Sequence, residues 1–214
     1  MTAQARKLLP LIFAGLMLFF TFLMLRITWP YFSFRYDVDF LLTKQTVIHI
    51  DAWKAAFYIH ISSSIFTLFL GAFQFIDALR INKPRLHRQM GKIYVYLVLL
   101  LSAPSGLIMA FYANGGGWAR LSFALIAILW WYFTYAAFRS ALRQDFKAHR
   151  NFMYRSYALT LSAISLRTYV FTFPFFMHLP ARDMYVLVSW LSWVPNLLVA
   201  ELLIRTRIFA NEIR

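Results

Sequence analysis

Apolar residues in this chain arrive in blocks of roughly 20, the length an α-helix needs to cross the hydrocarbon core of a bilayer. The blocks lie near residues 8–26, 54–79, 91–113, 118–140, 151–174 and 184–204. None shows the dyad alternation of a barrel strand. The fold class is therefore all-α membrane protein, a six-transmembrane-helix bundle in which residues 1–214 make one transmembrane domain. Composition agrees, because 61% hydrophobic and 14% charged residues cannot cover a water-soluble surface. The first block follows Arg6 and Lys7, as a secretory signal would. Arg26, Ile27, Thr28, Trp29 and Pro30 come next in place of a small-residue cleavage site, so it reads as an uncleaved first span.

The net charge of +14 is a topology signal rather than a nucleic-acid footprint. Six spans return the chain to its starting side. With the N-terminus inside, the inner set is Arg6, Lys7, Arg80, Lys83, Arg85, Arg88, Lys92, Arg139, Arg143, Lys147, Arg150, Arg155, Arg205, Arg207 and Arg214. The outer set is Arg26, Arg35, Lys44, Lys54, Arg120 and Arg182, a ratio of 15 to 6 that favours both termini inside. The inner basic rim also suits anionic lipid. Residues 27–53 form a long outer segment able to fold over the bundle, and its stretch Phe40 to Ile50 reads as an interfacial helix. Trp29, Trp53, Trp118 and Trp190 fall where an aromatic belt would lie, whereas Trp130 and Trp131 sit deeper and pack. Asn114, Gly115, Gly116 and Gly117 mark a tight turn between spans three and four.

The absence of cysteine excludes disulfides, thiolate metal sites, thiol catalysis and iron–sulfur clusters. Any cofactor must use His, Met or oxygen ligands. The few polar side chains inside the spans are the remaining candidates for chemistry. In span two, His60, Ser64, Thr67, Gly71 and Gln74 recur at helical steps, placing them on one inward face. Helix–helix glue explains the small members, while His60 and Gln74 are costlier to bury. In span five, Ser156, Thr160, Ala163 and Arg167 form a second line, and no acidic residue shares the depth of Arg167. Snorkelling or an outer-loop Asp accounts for it structurally; a bound anion or cofactor carboxylate is the functional alternative. His60 and Arg167 both lie about 9 Å below the outer interface, by helical rise.

At the inner ends, His87 opens span three and His149 opens span five, beside Arg88, Arg150 and Arg155. Two such histidines are candidates to ligate one haem b iron, with the arginines meeting its propionates. A basic interfacial anchor is the plainer alternative. Leu86-His87-Arg88-Gln89-Met90 and Ala148-His149-Arg150-Asn151-Phe152 echo each other, each followed by tyrosines and later a Ser-Ala pair. Ser102 to Gly106, with Pro104, should kink span three. Span six carries Ser189, Trp193, Asn196 and Ala200 on one face, and Glu201 is placed to pair with an inner arginine such as Arg155 or Arg205.

Several blocks resemble the predicted-membrane-protein family known as domain of unknown function 2306, found in bacteria and fungi. They are His60 with Gly71-Ala72-Phe73-Gln74-Phe75, Leu86-His87-Arg88-Gln89-Met90-Gly91-Lys92-Ile93-Tyr94, and His149-Arg150-Asn151-Phe152-Met153-Tyr154-Arg155-Ser156-Tyr157-Ala158-Leu159-Thr160. Arg167 and Trp193-Val194-Pro195-Asn196 with Glu201 complete the set, over roughly 55 to 205. The family name itself supplies no activity, and the expected location is the bacterial inner (cytoplasmic) membrane. A looser similarity is to two-haem b-type cytochromes, which carry histidine pairs on helices two and four and on three and five. His87 and His149 match the second pair, but span four holds no histidine, so at most one such haem fits. The functional expectation is a membrane oxidoreductase component with one haem b. It adds a polar pocket of His60, Gln74, Arg167 and Asn196 for a quinone. The competing classes are a binder or transporter of a small anion or lipid headgroup through Arg167 and His60, and a membrane assembly protein.

Overall fold

The computed structural model describes residues 3–206, with side chains from residue 12 onward. Arg207 and Arg214 of the inner basic set lie outside the described residues, as do the side chains of Arg6 and Lys7. Every regular element among the described residues is helical. Six helices are long and apolar enough to cross a membrane: Ile12–Ser33, Asp51–Phe73, Pro84–Ala110, Gly117–Leu142, Phe146–Phe176 and Ala181–Arg205. Many large apolar side chains on them point away from protein, for example Phe22 at 62% and Leu100 at 68% exposure. Lipid is the solvent that accepts such a surface. The chain forms two compact units, Met1–Ser102 and Ala103–Arg214, and the division falls inside the third span.

The first unit begins with α1 (Ala3–Thr28). Two 3-10 turns follow, at Trp29–Ser33 and Asp39–Lys44, then α2 (Asp51–Phe73). The expected interfacial helix at Phe40 to Ile50 is instead the second 3-10 turn with a run of turns after it. Its side chains explain why it leaves the lipid surface. Phe40 stacks on Phe57 of α2, Tyr31 meets the same ring edge-on, and Leu41 is 1% exposed. Apolar area is thus removed from water by folding back over α2. Trp53 belongs to this packing and not to a belt: it is buried and stacked on Phe57, while Trp29 is exposed as a belt residue should be.

α2 ends at Phe73, short of the expected 79, and a separate α3 (Asp77–Asn82) intervenes. α4 (Pro84–Tyr96) starts seven residues before the expected span boundary, with proline at its first position, where the missing N–H costs nothing. The break expected at 102–106 appears one turn earlier, as a π-helical stretch over Leu97–Ser102. A proline ring clashes with the carbonyl four residues before it, so Pro104 disturbs the helix near Leu100.

The second unit holds α5 (Ala103–Ala110), α6 (Gly117–Leu142) and the fifth span. That span is two helices, α7 (Phe146–Thr160) and α8 (Ser162–Phe176), separated at Leu161. Asp145 caps α7 by accepting from the Ala148 amide at 2.9 Å. The sixth span is α9 (Ala181–Leu191) followed by α10 (Val194–Arg205), with Pro195 in the first turn of α10. Trp130 is buried as expected, but Trp131 is exposed and stacks on Tyr135 along the same helix.

Candidate functional site

Within the first unit, the polar face of α2 meets the π-helical stretch. His60 Nδ1 lies 2.8 Å from the Ser102 carbonyl, a contact that assigns the ring proton to Nδ1 and leaves Nε2 as the lone-pair nitrogen. Beside it the Ser102 hydroxyl donates to Ser63 Oγ at 2.7 Å, and Ser63 donates to the Ile59 carbonyl at 2.7 Å. Ser63 was not on the expected line; Ser64 was, and its buried Oγ has no hydrogen-bond partner. Ser63 is one helical step of 100° from Ser64, so the bond to Ser102 comes from a position beside the line that periodicity selects, while Thr67 and Gly71 on that line are buried. Thr67 closes the seam by bonding the Ser64 carbonyl.

Gln74 caps α2 at the other end of the span, 14 residues and about 21 Å of helix from His60. His60 and Gln74 therefore occupy opposite ends of the first unit's polar face. The Gln74 Oε1 sits 3.0 Å from where a Cβ on Gly91 would be, so Gly91 is the residue that admits this side chain. Two of the quoted sequence blocks meet at that contact. Gln74 Nε2 is buried with no hydrogen-bond partner. His87, one turn before Gly91 on the same helix face, is half-buried, and Arg88 is exposed.

The second unit holds the remaining candidates. His149 Nδ1 lies 2.9 Å from the Ala137 carbonyl of α6, which leaves Nε2 of this ring as the lone-pair nitrogen. Arg150 is half-buried. Arg155 forms a two-pronged ion pair with Glu201 at 2.5 and 3.0 Å, as anticipated for Glu201, and its guanidinium lies 5.8 Å from the Phe133 ring and 5.4 Å from that of Phe152. Asn196 joins α7, α8 and α10: its Nδ2 is within hydrogen-bond distance of the Ser165 hydroxyl (3.0 Å), the Ser192 carbonyl (3.1 Å) and the Ala158 carbonyl (3.3 Å). Arg167 donates from Nη1 to the Ala163 carbonyl of its own helix at 3.2 Å. Ser156 is fully buried and bonds Thr134 Oγ1 at 2.7 Å; because Thr134 already donates to the Trp130 carbonyl, Ser156 is the donor. Trp193 Nε1 donates to Ser122 at 2.9 Å.

These networks answer which polar groups are glue. Ser156, Thr134, Ser122, Trp193, Asn196 and the Arg155–Glu201 pair are mutually satisfied between helices, as hydrocarbon demands of polar atoms. The spacing pattern missed two features. Lys44 is 3% exposed, with its ammonium 5.3 Å from the Phe40 ring, although it reads as an ordinary outer-loop cation. Ser102 acts through both its hydroxyl and its carbonyl; the kink expected over Ser102 to Gly106 marks irregular backbone there but not these two bonds. Among the described residues, no group of three or more His, Asp or Glu is placed to hold a metal ion.

Searches of curated proteins and of solved structures returned no match. The family model described as Predicted membrane protein (DUF2306) matches residues 57–204. That stretch includes the His60–Ser102 seam, the Gln74–Gly91 contact, His149 and the Arg155–Glu201 pair, and the chain belongs to this family of integral membrane proteins.

Proposed function

We propose that this integral membrane protein binds one b-type haem and serves as a one-electron carrier in the cytoplasmic membrane of a bacterium, with both termini inside. His149 would be one of the side chains that hold the iron. The observation that carries the reading is its Nδ1 contact with the Ala137 carbonyl. Histidines that bind iron almost always give their other ring nitrogen to such a partner, which fixes the tautomer and aims Nε2 outward. Haem iron needs only two side-chain ligands. Sequence alone nominates His87 as the second, because the block that opens span three echoes the block around His149 that opens span five. Gln74 Nε2, a buried donor with no partner one turn from the His87 position, favours a polar guest there.

Arg88 and Arg150, which adjoin the two histidines in sequence, would meet the propionates, while Arg155 is paired with Glu201. When bound, the haem supplies one-electron redox chemistry; the chain supplies ligands, charge and a lipid-walled setting of low dielectric that sets the potential. Anionic lipid gathers at the inner basic rim.

Purified protein from haem-replete cells should show a Soret band and a pyridine haemochrome near one haem per chain. His149→Ala and His87→Ala should each abolish the low-spin spectrum while helical content is retained. A folded wild-type preparation that stays colourless after titration with haemin would overturn the proposal.

A further inference from the structure

A recess lies in the first unit, at the Asp51 end of span two. It encloses about 420 Å³ and is lined by Phe34, Tyr36, Asp51, Lys54, Ala55 and Tyr58. Asp51 is the first residue of a membrane-crossing helix, so whichever side it faces, the recess opens at headgroup level. Lys54 Nζ bonds Asp51 Oδ1 at 3.0 Å. The Phe34 and Tyr58 rings lie 5.2 Å apart, and the Tyr58 hydroxyl is anchored on the Tyr31 carbonyl at 3.3 Å. Phe34 holds a left-handed backbone (φ 57°), uncommon for a bulky side chain, to put its ring there.

We propose that this recess holds the headgroup of a zwitterionic phospholipid, with the phosphodiester on Lys54 and the ammonium on Asp51 and the surrounding rings. An ammonium has three donors, and Asp51 takes one, so two remain for phosphate oxygens. A phosphate on Lys54 would stand close to the Asp51 carboxylate and be repelled by it. A headgroup that brings its own cation removes that conflict, because Asp51 is 92% exposed and accepts a second partner, while the faces of Phe34, Tyr36 and Tyr58 attract cations. An anionic glycerol headgroup offers Asp51 nothing. The site therefore selects for zwitterionic lipid, and it does so independently of haem.

Native mass spectrometry of the detergent-purified chain tests this with phosphatidylethanolamine and phosphatidylglycerol of identical acyl chains. The wild type should retain the ethanolamine lipid about tenfold better, a difference of about 1.4 kcal/mol. Soluble glycerophosphoethanolamine, added in excess, should displace it, which separates headgroup recognition from acyl-chain adhesion. Asp51→Asn, isosteric and exposed, should erase the preference, and Lys54→Gln should lose both adducts. Equal retention of the two lipids by the wild type, or a wild-type ratio in either variant, would overturn the proposal.

Discussion

Glu201→Gln, combined with Arg155→Met in a double-mutant cycle, isolates the strongest polar link within the second unit. The pair joins α7 to α10 with two charge-assisted hydrogen bonds, and its side chains are 21% and 30% exposed. Fully exposed pairs contribute about 0–1 kcal/mol, whereas removing one partner of a buried pair costs about 3–5 kcal/mol. With under a third of each group accessible, and lipid rather than salt water around the helices, the coupling should fall between, at about 2 kcal/mol. Arg155→Met also loses the contacts with Phe133 and Phe152, but it loses them on both the wild-type and the Glu201→Gln background, so that loss cancels in the cycle. The assay is reversible unfolding by SDS in mixed micelles, followed by tryptophan fluorescence. Additivity of the two single variants to within about 0.5 kcal/mol would show that the pair is not coupled and would refute the reasoning.

Other substitutions probe the same framework. Gly115 has φ +84° and an added Cβ would lie 3.0 Å from Tyr185 and 3.1 Å from the Ala119 Cβ, so Gly115→Ala should destabilise by about 1–3 kcal/mol in the same unfolding assay. Gly117→Ala, with nothing within 4 Å, should be neutral. Asn196→Ala removes the amide shared by Ser165, Ser192 and Ala158 and should cost about 1–3 kcal/mol, read as a lower SDS midpoint. Between the first two spans, the Arg35 guanidinium bonds Asp37 and holds its carboxyl below the ordinary aspartate range. A lowered folded value means that this contribution is present above the unfolded aspartate value and is lost as pH falls through the folded one. Carboxyl carbon NMR should therefore find Asp37 titrating at unusually low pH, and Arg35→Gln should move it back up.

Much of the architecture was legible because the bilayer imposes it. Blocks of about 20 apolar residues have one stable form in hydrocarbon, so the number and order of spans followed from Leu8 to Ile204 without tertiary information. Periodicity also found faces: Ser189, Trp193 and Ala200 are buried as their spacing on span six required, and Glu201 met Arg155 because a half-buried carboxylate takes the nearest cation. Element ends were less legible. Span two stops at Phe73 and α3 begins at Asp77, yet apolar residues continue past the helix end at Phe75, Ile76, Ala78 and Leu79.

What the sequence by itself determined was the solvent, the helical class and the sparse set of polar side chains forced to find partners. Tertiary structure alone decided who those partners are. Ser63 rather than Ser64 takes Ser102, Gln74 reaches Gly91 rather than sharing a pocket with His60, and Trp53 leaves the interface to stack on Phe57. The physical reason is that a transfer free energy depends on each residue alone, whereas a hydrogen bond or ring contact depends on backbone geometry. Here the π-helical turn at Leu97–Ser102 and the folded-back segment between the first two spans set that geometry from residues distant in the chain.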